Sequence, residues 1–320
     1  MIPLKPVIGL EDAFGARARQ LRRLQGKLFD IYAEAGYEEV IPPLVERPET
    51  LSSGAGRFLS DQTLIFSDPA DTGLLAIRPD MTPQVARIAA TRLQDRSELK
   101  LCYSGPVMLA RPDVRTGSRQ QWQTGVECLG LAGEEGDVEV IHLAALSMHA
   151  AGFDEPPVIQ VGHMGLIRAL VANSDTPLEA WAMLLSRRSP EDLSARLKSE
   201  SLSEVCKAAL MTMVAGRADR AWLESRAGEL GDAFDAAATE LLHLVDTVAT
   251  RLSGEVVVSV DAAVMPRFLY HSGMIFSGFA AGAAQALLHG GRYDAMMALH
   301  GRDMPATGFS FDLWSWLDAV

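Results

Sequence analysis

The chain has 320 residues, 48% of them hydrophobic and 22% charged, which suits a globular protein with a large core in one large domain or two smaller ones. Its net charge of −12, from 41 acidic against 29 basic residues, repels phosphate backbones and argues against broad nucleic-acid binding. No secretory leader pattern opens the chain and no apolar run approaches the ~20 residues that span a bilayer, so a cytosolic protein without a membrane partner is expected.

Asp12 to Ala35 predicts a long amphipathic helix: Phe14, Leu21, Leu24, Leu28 and Ile31 fall three, four or seven apart, and Gly36 supplies the stop. A strand at Tyr37 to Ile41 ends at Pro42-Pro43, which cannot donate to a ladder and belong at an edge or a bend. Such an edge either meets a second subunit or is a plain end guarded against aggregation. Gly54 to Ser60 reads as a small polar loop, and Leu64 to Phe66 with Leu74 to Ile77 as a hairpin. Thr82 before Pro83 fits an N-cap with proline at the first helical position. Asp80 beside it is either an ordinary loop charge or a place for an ammonium group.

Leu99 to Gly130 reads as two strands joined by a polar loop at Arg111 to Gly117. In the second strand Trp122, Val126 and Cys128 point one way while Gln121, Gln123, Gly125 and Glu127 point the other, because side chains alternate along a strand. The second face is either the wet side of an antiparallel sheet or a ligand surface around a glycine. A helix is expected at Asp137 to Ala151, a short strand at Pro156 to Gln160 and a helix at Met164 to Val171. His142 and His149 share one helix face without partners at metal-ligand spacing, so both read as surface or packing residues. Cys102, Cys128 and Cys206 form no CxxC and read as small apolar fillers in a reducing compartment.

Asn173 to Leu252 changes character: dense in Ala, Leu, Glu and Arg, it predicts an inserted unit of several short helices. Its basic residues Arg187, Arg188, Arg196 and Lys198 are diluted by acids and read as a solvated face. Strands return at Glu255 to Asp261, Gly273 to Ala280 and Gln285 to His289, with Gly290-Gly291-Arg292-Tyr293-Asp294 at a strand end. Gly308 to Phe311 follows, then a closing helix from Asp312. Strands on both sides of a helical insert, linked mainly by hairpins and irregular loops, make the chain α+β. The usual nucleotide, zincin and nucleophile-elbow motifs are missing from the sequence, and neither a cofactor nor a metal is expected.

The order GYEEVIPPLVE, IRPDMTPQVAR, CYSGPV, RQQWQTGVECLG, GGRYD and ATGF resembles the catalytic domain of histidyl-tRNA synthetases over nearly the whole chain. The resemblance implies a class II synthetase-like antiparallel sheet flanked by helices, with residues 1–172 and 253–320 as the core and 173–252 as a helical insertion. It puts Pro43 at a dimer interface. It puts Asp80, Thr82 and Gln123 where the family holds the substrate's α-ammonium group, and Glu127 where it reads the imidazole. A carboxylate suits a ring N–H, and more so a charged imidazolium. The family's RGLDYY stretch stands opposite Pro266 to His271, so its catalytic arginine becomes Pro266. Arg267 then substitutes from one position away, or the loop is rebuilt, and Tyr270 and His271 border the imidazole.

The two arginines with which the family binds ATP correspond to Leu109 and to the run Asp312-Leu313-Trp314-Ser315, with Arg111 in place of an accompanying acid. Losing one donor that stabilises transition-state charge typically costs ~2.7–4 kcal/mol, so losing two should all but abolish adenylation. The chain stops right after the third motif, where the family continues into an anticodon-binding domain, so no tRNA partner is expected. This pattern resembles the regulatory subunits of ATP phosphoribosyltransferase. That implies a non-catalytic partner of a short-form catalytic subunit in a hetero-octamer, with histidine as effector. A histidine-dependent adenylate-forming ligase and a free-standing histidine-binding module remain as alternatives.

Overall fold

The computed structural model describes residues 5–52, 60–113, 116–153, 155–252, 254, 256–265, 271–283 and 285–320. Helix α1 (Gly15–Glu34) buries Leu21, Leu24, Leu28 and Tyr32, the stripe that the apolar spacing predicts. The strand expected next is cut to β1 (Glu38–Glu39), because two prolines follow at Pro42-Pro43. After β2 (Val45–Glu46) and α2 (Pro48–Ser52), the expected hairpin forms from β3 (Leu64–Ser67) and β4 (Leu74–Ile77). Of the loop expected at Gly54 to Ser60, all but Ser60 lies outside the described residues.

Helix α3 (Thr82–Thr91) starts at Thr82, but Thr82 is not its capping residue. Asp80 Oδ1 accepts from both the backbone N–H and the hydroxyl of Thr82, each at 3.2 Å. The acceptor at this helix start is therefore Asp80, and the threonine hydroxyl is turned into a buried polar cluster. Strands β5 (Leu99–Met108) and β6 (Gln120–Leu129) pair antiparallel along their full lengths. Then come α4 (Glu134–Ala151), β7 (Val158–His163) and α5 (Met164–Leu170). Helices α6 (Leu178–Ser186), α7 (Pro190–Leu197), α8 (Glu204–Val214), α9 (Arg220–Ser225) and α10 (Asp232–Arg251) fill the stretch predicted to be helical. Within it Arg188 and Arg196 are ion-paired, to Asp261 and Glu200. The chain closes with β8 (Val257–Val260), β9 (Met274–Phe279), β10 (Leu288–Arg292), α11 (Asp294–Leu299), β11 (Ala306–Asp312) and α12 (Leu313–Leu317).

Among the described residues, one sheet has eight strands in the order β1-β5-β6-β11-β10-β9-β7-β8 and a second has three in the order β2-β4-β3. The large sheet is antiparallel through its middle and parallel at both edges, β1 with β5 and β7 with β8. Both faces are covered. Residues from α1, α4, α10 and α12 pack one apolar cluster against Val126, Cys128 and Phe309, while α3 and α11 pack another against Leu101, Tyr103 and Leu129. The face of β6 that carries Gln123 and Glu127 is thus a buried one, and the half-solvated sheet is ruled out. Gly290 and Gly291 lie inside β10 rather than beyond a strand end. A Cβ at Gly290 would sit 2.4 Å from the Phe276 ring, so only glycine lets the strand continue there.

Candidate functional site

The loop between β4 and α3 is fixed before it presents any side chain. Buried Arg78 donates from Nη1 to the Pro42 carbonyl at 2.7 Å and from Nε to the Pro106 carbonyl at 3.0 Å. Burial lowers its pKa to about 10, and its hydrogen bonds go to the Pro42, Pro43 and Pro106 carbonyls and to Gln84 Oε1. Two residues on, Asp80 Oδ1 also accepts from Gln123 Nε2 at 2.6 Å. Gln123 Oε1 in turn accepts from the Met81 N–H at 2.8 Å, so both ends of that amide are tied to the loop.

Glu127 lies on the same face of β6, and only 2% of it is exposed. Tyr103 of β5 donates its hydroxyl to Oε1 at 3.0 Å, and Tyr293, just past β10, donates a short hydrogen bond to Oε2. The Thr82 hydroxyl lies 3.3 Å from that of Tyr103, which joins Asp80, Thr82, Tyr103, Glu127 and Tyr293 into one buried chain of polar contacts. Burial pushes the Glu127 carboxyl up to about 8; both tyrosine donations oppose this and the charge of Asp80 adds to it. Two glycines make room for these side chains. A Cβ at Gly125 would lie 2.7 Å from the Tyr103 hydroxyl, and one at Gly308 would lie 2.0 Å from Glu127 Oε2. His271 packs edge-on against Tyr293, ring centroids 6.4 Å apart.

Of the residues singled out from sequence, the fold brings together Asp80, Thr82, Gln123 and Glu127, with His271 alongside through Tyr293. Arg267 and Tyr270 lie outside the described residues. Tyr103 and Tyr293 are site residues that sequence reasoning did not pick. The signals were present: Tyr103 shares the alternation of a strand paired with β6, and Tyr293 ends the GGRY run.

The far end of the same strands is built differently. Leu109 is buried, its N–H donating to the Arg119 carbonyl and its own carbonyl accepting from Arg119 Nε. Asp312 caps α12, accepting from the N–H groups of Trp314 and Ser315, from the Ser315 hydroxyl at 2.8 Å and from the Trp122 N–H at 2.8 Å. A surface cleft of about 640 Å³ lies beside it, between α1 and α12, where Arg17 stacks on Trp314 and Arg22 on Trp122. Among the described residues no group of three or more His, Cys, Asp or Glu is placed to hold a metal ion.

A family model described as histidyl-tRNA synthetase matches residues 9–315. The chain belongs to the histidyl-tRNA synthetase family. Within that family it is 34% identical, over 95% of its length and 78% of the relative's, to a protein of Thioalkalivibrio sulfidiphilus named ATP phosphoribosyltransferase regulatory subunit. A Nitrosococcus oceani protein of the same name is 31% identical over 95% of this chain and 77% of its own. A solved Bacillus halodurans structure, described as an ATP phosphoribosyltransferase regulatory subunit/histidyl-tRNA synthetase, superposes with a TM-score of 0.86 at 25% identity, covering 99% of this chain and 83% of that one. The histidyl-tRNA synthetase of Nostoc, at 17% identity and a TM-score of 0.81 over 99% of this chain and 75% of its own, shares the fold. The synthetase-like fold expected from the motifs is the fold observed.

Proposed function

We propose that this chain is a regulatory subunit of ATP phosphoribosyltransferase that binds histidine in the Asp80–Glu127 cluster and has no catalysis of its own. The relatives at 31–35% identity over 95% of the chain carry that name. The observation that carries the reading beyond the name is the contrast between two ends of one site. The amino-acid end keeps carboxylates and amides in a single buried network. At the end that the resemblance gives to ATP, Leu109 is buried and the Ser315 hydroxyl donates to the capping carboxylate of Asp312. A reaction that develops phosphate charge needs preorganised cations there.

In this reading Asp80, Thr82 and Gln123 hold the ammonium group and Glu127 the imidazole, with Tyr270 and His271 at its border and Arg267 toward the carboxylate. The chain works with a short-form catalytic subunit in a hetero-octamer, in the cytoplasm and without tRNA. Residues 1–172 and 253–320 form its synthetase-like core and 173–252 an insertion. It also pairs with itself through the Pro43 region. The exposed apolar side chains Ile41, Leu44, Ile65, Phe66 and Leu74 on and beside the small sheet support that surface.

The test is phosphoribosyl-ATP formation by a short-form catalytic subunit, with and without this chain, across a histidine titration. Stimulation reversed by histidine is the expected result. Absence of stimulation, with no complex on gel filtration, overturns the reading. A coupling of ~1–3 kcal/mol between histidine and the catalytic state would be enough for feedback.

A further inference from the structure

We propose that Arg292 is a positioning residue for the histidine pocket, acting from the opposite face of the sheet by fixing the phenol of Tyr293 on Glu127. The inference rests on the pocket reading above and assigns a role to a side chain whose hydrogen bonds, among the described residues, go to Asp137, Gly133 and Asp294.

Strands β6, β11 and β10 lie side by side, with Glu127 opposite Gly308 and Gly308 opposite Gly291. That row is the floor of the cluster. The next row, Cys128, Thr307 and Arg292, presents its side chains to the other face, because orientation alternates along each strand. Arg292 therefore sits directly behind the floor. It is 8% exposed and its partner Asp137, in the first turn of α4, is 3% exposed. Nη2 and Nε engage the two carboxylate oxygens of Asp137 at 2.7 and 3.2 Å, and Nη2 also donates to the Gly133 carbonyl at 2.7 Å. A planar guanidinium makes this fork; an ammonium cannot.

The third nitrogen closes a clamp around Tyr293. Nη1 of Arg292 reaches Asp294 Oδ1 at 3.2 Å, so the residues before and after the tyrosine are paired to each other. Asp294 Oδ1 also accepts from the Ala306 N–H at 2.8 Å, while the Tyr293 N–H donates to the Ala306 carbonyl at 2.7 Å. The backbone at Tyr293 is thus held on both sides just where the chain leaves β10 for α11. Its side chain is sent to the front face, onto Glu127 Oε2 and against His271. A buried ion pair of this kind is weak evidence for added stability, because desolvation offsets the attraction between the charges.

The experiment is a double-mutant cycle read by calorimetric titration of histidine. Arg292→Lys keeps the charge and loses the fork. Asp294→Asn keeps an acceptor for Ala306 and loses only the ion pair, at a half-exposed side chain that leaves the buried Arg292–Asp137 pair intact. Each is made alone and with Tyr293→Phe. Either variant is expected to weaken histidine binding by about tenfold, the low end of what losing a partner that orients a metal ligand costs in metal sites. Neither should weaken it further once the Tyr293 hydroxyl is gone. Unchanged affinity, or equal losses in both backgrounds, overturns the positioning role. Should Arg292→Lys fail to fold, Asp294→Asn decides by the same criterion. A wild-type chain that binds no histidine overturns the pocket reading and this role with it, whereas histidine binding indifferent to both variants overturns the role alone.

Discussion

Strands β6 and β11 run through two regions that treat carboxylates in opposite ways. At one end Glu127 is buried and carries two tyrosine donors, with its carboxylate and the Tyr103 hydroxyl lying where a Cβ at Gly308 and at Gly125 would fall. At the other end Asp312 is also buried, yet its oxygens are spent on the first turn of α12 and on the Trp122 backbone. In the proposed reading the first carboxylate exchanges its tyrosine partners for a ligand, while the second is held by the start of α12 and by backbone. A buried acid marks a binding site only when its donors are side chains that can yield, not backbone that the fold needs.

The sharpest way to break this comparison is Glu127→Ala. A hydrogen bond to a charged group contributes about 1.5–3 kcal/mol, so histidine affinity should fall by up to about a hundredfold while the fold and the association state stay those of the unmutated chain. Calorimetry and gel filtration check both parts. Unchanged affinity would move the ligand elsewhere in the molecule.

The raised pKa of Glu127 gives a second handle. The native state keeps this proton up to pH about 8, whereas the unfolded chain releases it near pH ~4.3. The folded state therefore binds more protons across that window. The stabilising contribution of protonated Glu127 is complete below pH ~4.3 and is lost as pH rises through about 8. Within the window this site lowers stability by up to about 1.4 kcal/mol per pH unit, a slope that Glu127→Gln should remove from urea melts. Binding has its own signature. Free imidazole titrates near pH ~6.5, so between there and about 8 the separated partners already hold the single proton that the bound pair shares. Histidine affinity should be flat across that interval and fall on either side.

Gly308→Ala tests whether the glycine beside Glu127 matters. The added methyl would meet Glu127 Oε2 at 2.0 Å and the Val126 carbonyl at 2.5 Å. Overpacking of this kind costs about 1–3 kcal/mol, seen as a lower urea midpoint together with weaker histidine binding. Gly73→Ala, with nothing within 4 Å of the new methyl, is the neutral control.

How much of this could be read from residues alone follows from range. The period-two pattern of β6 and the Thr82-Pro83 start are local and left a ligand surface and a plain structural role both open; the family resemblance singled out Asp80, Thr82, Gln123 and Glu127. Tyr293 reaches Glu127 across 166 positions of sequence, through the registers of β6 on β11 and β11 on β10. No local pattern carries that information. The same registers explain why GGR was expected beyond a strand and is found within one: the glycines answer to Phe276 and His271, which arrive from neighbouring chain segments. The capping role of Thr82 was misjudged for a related reason. A hydroxyl at a helix start is a cap by local rule, but here a buried aspartate two residues earlier supplies the acceptor.

The smallest expected effect comes from the scaffold end. Asp312→Ala removes the acceptor for the Trp314 and Ser315 N–H groups at the start of α12. Loss of an N-cap costs about 1 kcal/mol, so the urea midpoint should drop modestly. Asp312 pairs with Gln123 in register, at the end of β11 away from Gly308 and Glu127, and its carboxylate is spent on Trp122, Trp314 and Ser315, so histidine affinity should hold within about twofold. If affinity instead falls as it does in Glu127→Ala, the two ends act as one site and the division between a retained amino-acid pocket and a dismantled ATP site is wrong.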